Sequence, residues 1–178
     1  MVPSPADQAV IFLDVDGPLI PFRPRSVRRE RSPRDAGPPG ADGTGNPLLN
    51  RLDPADGHRL QALSGQLVWA TTWMAEANEV VSPRLGLPAL PVVVWPEEDG
   101  ELPRGLHWKT MGLMEWAAGR PFVWLDDELT DADRRWVAAH HPGRALLHRV
   151  DPYTGLTDAD FSAVHHWLAQ VDGRLTQQ

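Results

Sequence analysis

Apolar residues in this chain fall into short continuous runs separated by longer stretches with helical spacing. Residues 10–13, Val-Ile-Phe-Leu, form the first run. An apolar run that does not alternate with polar residues predicts a strand buried on both faces, as in a parallel sheet. Similar runs at 66–70, 90–95, 122–125 and 145–148 predict four more strands. Between them, the spacing predicts helices over 54–63, 73–81 (stopping before Pro83), 107–118, 130–140 and 158–171. Leu60 and Leu63 share one face of the first. Phe161, Val164, Trp167, Leu168 and Val171 form an apolar stripe on the last. Thr130 and Thr157 stand where N-caps belong, and Gly119 where a helix stops. Five strands alternating with helices predict an α/β fold: a three-layer, Rossmann-like sandwich around a mostly parallel five-stranded sheet.

The stretch 18–47 breaks the pattern. It holds seven prolines, four glycines and few apolar residues, which predicts a long loop insertion, mobile in part. The remaining pattern fits one domain over 1–178. Absence of cysteine excludes disulfides and thiolate–metal sites and suits a reducing cytoplasm. No run is long enough for a signal peptide or membrane span, so the expectation is a cytoplasmic protein without membrane contact. The net charge of −7 argues against a generic nucleic-acid coat. That charge is uneven, since residues 21–50 carry six arginines and a local balance of +3.

In sheets of this kind chemistry gathers beyond the carboxyl ends of the strands. Asp14 and Asp16 follow the first strand, with Gly17 allowing the chain to bend away. The ordinary alternative is a surface turn. Asp126 and Asp127 follow the run at 122–125, and Asp131 comes four residues later. Carboxylates this close repel unless a cation lies among them, and hard oxygen donors without Cys or clustered His favour Mg²⁺ over zinc. For Asp131 and Asp133 the alternative is the N-terminus of a helix, where acidic residues suit the dipole.

Thr71 and Thr72 end the second strand, and Lys109 begins the helix at 107–118. A hydroxyl and an ammonium so placed suit a phosphate. Lys109 is the single lysine of the chain, all other basic side chains apart from histidine being arginine. Of eight tryptophans, Trp73, Trp95 and Trp108 lie near the same edge, where they serve either as core or as surfaces for a base. Among the histidines only His107, two before Lys109, falls near this edge.

The order Asp-x-Asp, Thr, Lys, Asp-Asp resembles the four motifs of the haloacid dehalogenase (HAD) superfamily: Ile11-Phe-Leu-Asp-Val-Asp-Gly17, Val68-Trp-Ala-Thr71, Lys109, and Val123-Trp-Leu-Asp-Asp127. The resemblance spans residue 10 to about residue 131. A looser similarity points to HAD domains of RNA-repair proteins. The resemblance implies a Mg²⁺-dependent phosphohydrolase in which Asp14 forms an aspartyl-phosphate and Asp16 acts as acid and base. Thr71 would bind phosphoryl oxygens, with Thr72 the alternative, and Lys109 would neutralise charge beside the nucleophile. Asp14, Asp127 and the Asp16 backbone carbonyl would hold Mg²⁺, with Asp126 or Asp131 behind them. Retention of Asp16 favours phosphoryl transfer over dehalogenation. Pro18 replaces the usual Thr and removes a backbone N–H.

Neither 17–70 nor 72–108 leaves room for a folded cap domain. The expected site is therefore open and suited to a large or protruding phosphorylated substrate. A nucleic-acid end-processing phosphatase is the narrower alternative, with the basic loop around residues 23–34 as a contact for the strand. A non-catalytic phosphate- or partner-binding module is the alternative from another class.

Overall fold

The computed structural model describes residues 8–24, 46–95 and 103–175. Its element order is β1 (Val10–Leu13), a 3₁₀ turn (Pro47–Arg51), α1 (Pro54–Gln61), β2 (Gln66–Trp69), a π-helical segment (Ala77–Val81) leading into α2 (Ser82–Leu85), α3 (Lys109–Ala117), β3 (Phe122–Asp126), α4 (Asp131–His140), β4 (Ala145–Arg149) and α5 (Asp158–Leu175). All strand pairs are parallel, in the order β2-β1-β3-β4.

Alternation along β1 divides the core. Ile11 and Leu13 join Leu60, Val81, Leu85, Phe161, Val164 and Leu168 on one face. Val10 and Phe12 join Leu113, Ala117, Val137 and Trp124 on the other. Helices α1, α2 and α5 thus cover one side and α3 and α4 the opposite side. This is the expected three-layer α/β sandwich, and it explains the uninterrupted apolar runs of β1 and β3, buried along their whole lengths.

The sheet has four strands among the described residues, not the expected five. The run at 90–95 does lie beside β2, but it contributes only a single parallel bridge, Trp69 to Val92. Trp69 donates to the Pro91 carbonyl and Val93 donates to the Trp69 carbonyl, both at 2.9 Å. Pro91 has no N–H to extend the ladder, and Val94 is left exposed at this edge. The helix expected over 73–81 is also different. Residues 77–81 form the π-helical segment and the backbone continues through Pro83, which sits in the first turn of α2 where its missing N–H costs little.

Other boundaries follow the caps. Thr130 and Asp133 make a reciprocal capping box on α4. The Thr157 hydroxyl donates to Asp160 at 2.6 Å ahead of α5. Of the loop expected over 18–47, residues 25–45 lie outside the described residues. Residues 18–22 run against the β4–α5 connection, where Phe22 donates to the Pro152 carbonyl and Leu156 to the Pro18 carbonyl. Among the described residues no helix is long and apolar enough to cross a membrane.

The topology places the site. From β1 the chain crosses to β2 on one side and later returns to β3 on the other, so a crevice opens at the carboxyl ends of β1 and β3.

Layer contact on the β2 side depends on Gly57 of α1. A Cβ there would stand 1.8 Å from the Leu85 carbonyl oxygen of α2. Gly57→Ala must therefore push two backbones apart, and overpacking of this kind should cost about 3 kcal/mol. Urea denaturation of the variant checks this; an unchanged midpoint would mean that the two helices do not approach so closely.

Candidate active site

Asp14 is the first residue past β1. Its backbone N–H still donates to Leu125 of β3 at 3.0 Å, and its Oδ1 accepts the Val15 N–H at 2.8 Å. Oδ2 accepts from Lys109 Nζ at 2.9 Å. The same ammonium donates to Asp126 Oδ2 at 2.8 Å. Asp126 ends β3 and is fully buried. Its remaining capacity is taken by Trp124 Nε1 on Oδ2 and the Glu128 N–H on Oδ1. Asp126 is thus held by four structures at once (strand, helix, indole and loop) and fixes the cation that Asp14 shares.

One ammonium between two carboxylates cannot neutralise both. Burial pushes Asp14 up to about 7, against the pull of Lys109, and Asp126 beside it pushes in the same direction. Burial alone would lower Lys109, yet Asp14 and Asp126 together hold it above its ordinary value. Lys109 is also the first residue of α3, where a cation opposes the helix dipole, so the two carboxylates are what keep it there.

Asp127 lies across the crevice and is raised by burial and by Asp126 next to it. Carboxylate oxygens of Asp14, Asp126 and Asp127 lie within 4.8 Å of one another. Three carboxylates face one ammonium in a half-dry crevice, a formal excess of two acidic groups. Hard oxygens with that excess fit a divalent cation such as Mg²⁺. Gly17 brings the loop against them: its φ is +84°, and a Cβ there would stand 2.6 Å from Asp127 Cγ.

The turn after Asp16 closes through Gly17 N–H to the Ile20 carbonyl and through Leu19 and Ile20 N–H to the Val15 carbonyl. None of these bonds uses the nitrogen of residue 18, so Pro18 is accommodated without loss. The Asp16 carboxylate is partly exposed, and its Oδ2 accepts Trp73 Nε1 at 2.9 Å. Thr71 is buried just past β2, and its Oγ1 accepts the Trp73 N–H. Ala70 N–H donates to Leu13 O, which sets Thr71 beside the start of the Asp14 loop. Thr72 is exposed and lines a shallow depression with Asn46, Trp73 and Glu76. Asp131 is exposed too, paired with Arg134 at 3.2 Å and outside the carboxylate group.

Asp133, next in the same helix turn, has the larger structural role. Fully buried, it accepts the His107 N–H and Thr110 hydroxyl on Oδ1, and the Thr130 N–H and hydroxyl on Oδ2. Burial alone would raise it, but the bonds from Thr130, His107 and Thr110 hold it below its ordinary value. It ties the start of α3, and so Lys109, to α4. The Thr130-x-x-Asp133 spacing was the signal for it in the sequence. His107 accepts the Lys109 N–H on Nδ1 and faces Glu128 through Nε2 at 3.2 Å.

The three edge tryptophans surround the site. Trp73 holds Asp16, Trp95 Nε1 donates to the Thr71 carbonyl at 3.2 Å, and the Trp108 ring centroid is 5.5 Å from Lys109 Nζ. Trp95 and Trp108 meet edge to face at 4.8 Å. Arg149 had no signal in the sequence. Parallel register sets it opposite Asp126, and its Nε donates to the Asp127 carbonyl at 2.9 Å.

A family model described as the HAD domain in Swiss Army Knife RNA repair proteins matches residues 10–161. No curated protein and no solved structure matches the chain.

The charge arrangement has a pH signature. Asp14 stands at about 7 when folded and at its ordinary 3.8 when unfolded, so the stability it contributes is fully present below 3.8 and is lost as pH rises through 7. In EDTA, the wild type should lose stability from pH 5 to pH 8 by more than Asp14→Asn does, read by urea midpoints at the two values. Equal losses would show that Asp14 titrates normally.

Proposed function

Because the chain belongs to the family of HAD domains found in Swiss Army Knife RNA repair proteins, matched over residues 10–161, we propose that it is a Mg²⁺-dependent phosphomonoesterase acting through an aspartyl-phosphate on Asp14. The observation that carries this reading is the Lys109 ammonium shared by Asp14 and Asp126, with Asp127 close enough to complete a group of hard oxygen donors.

Asp14 and Asp127 would hold Mg²⁺, which supplies positive charge to the phosphoryl oxygens when bound. Lys109 supplies a second positive charge, which an anionic nucleophile approaching an anionic phosphate needs. The oxygen of Asp14 attacks phosphorus as the bond from phosphorus to the leaving oxygen breaks. Asp16 donates its proton to that leaving oxygen. Asp16 then takes a proton from water, the water oxygen attacks phosphorus, and the bond from phosphorus to Asp14 breaks. Trp73 keeps the Asp16 carboxylate aimed through its indole N–H. Thr71, anchored beside Asp14, orients phosphoryl oxygens, with Thr72 the more exposed alternative. Asp126 acts by fixing Lys109. Asp131, exposed and paired with Arg134, is left outside this scheme.

A second reading concerns the substrate. The family's description places these domains in RNA repair proteins, which favours a phosphorylated nucleic-acid end over a sugar phosphate.

Release of p-nitrophenol from p-nitrophenyl phosphate tests the reaction. Turnover should require Mg²⁺, stop in EDTA and fall by about 10³-fold or more in Asp14→Asn. Undiminished turnover in that variant would reject Asp14 as nucleophile. Absence both of turnover, on small esters and phosphorylated oligonucleotides alike, and of Mg²⁺ binding by calorimetry would leave a binding module.

A further inference from the structure

Two large rings stand in water where the 17–22 loop meets the β4–α5 connection. Phe22 is 52% exposed and Tyr153 51% exposed, and they meet edge to face at 5.9 Å. Their backbones are fixed. Phe22 N–H donates to Pro152 O at 2.7 Å, Arg51 Nη1 donates to the carbonyls of Pro21 and Phe22, and Tyr153 N–H donates to Asp151 Oδ1. Exposed apolar rings on a pinned backbone form a surface prepared for a ligand, since little order remains to be gained on binding.

The charge around them is positive, although the chain carries −7. The Arg23 guanidinium lies 4.9 Å from the Tyr153 ring centroid. Arg51 is tied to the same loop, and Arg149 reaches from the end of β4 to the Asp127 carbonyl. Arg149, Asp151 and Tyr153 line a shallow cavity of about 340 Å³ together with Val150 and Pro152. Asp151 is the one acidic member of that lining, and its Oδ1 is engaged by the Tyr153 N–H. The surface adjoins the crevice through two separate links: Arg149 to Asp127, and the 17–22 loop that begins with Gly17 against the Asp127 carboxylate.

We propose that Phe22, Tyr153, Arg23 and Arg149 form a subsite for single-stranded nucleic acid, taking the nucleotide next to the phosphate that reaches Asp14. This rests on the phosphatase reading of Asp14. Flat apolar rings fit the face of a base whatever its identity, and guanidinium groups fit the flanking phosphodiester. A phosphopeptide would present no second backbone anion to Arg149 and Arg23. Sequence preference is therefore weak, and the strand is held by stacking and charge.

The test compares wild type with Tyr153→Ala, Phe22→Ala and Tyr153→Phe on three phosphate esters: a short end-phosphorylated single-stranded oligonucleotide, a phosphopeptide and p-nitrophenyl phosphate. Tyr153→Ala and Phe22→Ala should raise KM for the oligonucleotide about tenfold and leave kcat/KM for p-nitrophenyl phosphate within about twofold, while Tyr153→Phe retains the wild-type KM. Fluorescence anisotropy of a labelled, unphosphorylated oligonucleotide reads binding without turnover and should weaken in the same two alanine variants. Binding lost with the rings in a protein that hydrolyses nothing would keep the subsite and reject the phosphatase. Unchanged oligonucleotide KM and binding in both alanine variants would overturn the subsite, as would an equal effect on the phosphopeptide.

Discussion

A single ammonium group, Lys109 Nζ, stands between two buried carboxylates at 2.9 and 2.8 Å, and much of the site's geometry is arranged to keep it there. Removing one member of a buried pair commonly costs about 3–5 kcal/mol, because the remaining charge stays in a medium that solvates it poorly. Here the cation also faces the positive end of its own helix. Asp126 holds it through Oδ2 and is itself pinned by Trp124 Nε1 and the Glu128 N–H, while Asp133 anchors the start of α3 through Oδ1 and the cap of α4 through Oδ2. The chain has one lysine, and the fold has placed its compact ammonium between two acids.

The same interaction divides labour among the acids. Asp126 is engaged by Lys109, Trp124 and the Glu128 N–H. Asp14 shares what remains of the lysine's charge, so burial keeps its affinity for a proton high until another cation approaches. Asp127 lies in the same condition to a lesser degree. Asp16 is held apart by Trp73, with its carboxylate turned to an indole and not to the lysine. A pair of carboxylates two residues apart thus acquires two environments, one dry and cation-facing and one partly wet, as different roles for a nucleophile and a proton carrier require.

Much of this was legible in the sequence because strands buried on both faces leave continuous apolar runs and their ends leave polar residues. The runs at 10–13 and 122–125 gave β1 and β3 nearly to the residue, and with them Asp14 and Asp126. The run at 90–95 misled, since its apolar content is that of a strand while Pro91 withholds the N–H that a ladder needs. Likewise Pro83 read as a stop, but a proline in the first turn of a helix loses nothing. Asp131 and Asp133 looked equivalent by spacing; only the capping box distinguishes the buried one. Side chains that act through long-range register, Arg149 beside Asp127 above all, leave no local trace. The Phe22–Tyr153 contact likewise joins two loops 131 residues apart in the chain.

The proposed reaction requires phosphorus to pass through Asp14. Phosphorylated substrate mixed with Mg²⁺ and the Asp16→Asn variant, and in parallel with wild type at single turnover, is quenched in acid and the protein is mapped by peptide mass spectrometry. The arrangement of Asp14, Lys109 and Asp16 predicts a phosphoryl group on the peptide containing Asp14, longer lived in Asp16→Asn because water is no longer activated. A phosphoryl group on another residue, or turnover with no labelled protein at any quench time, would contradict it.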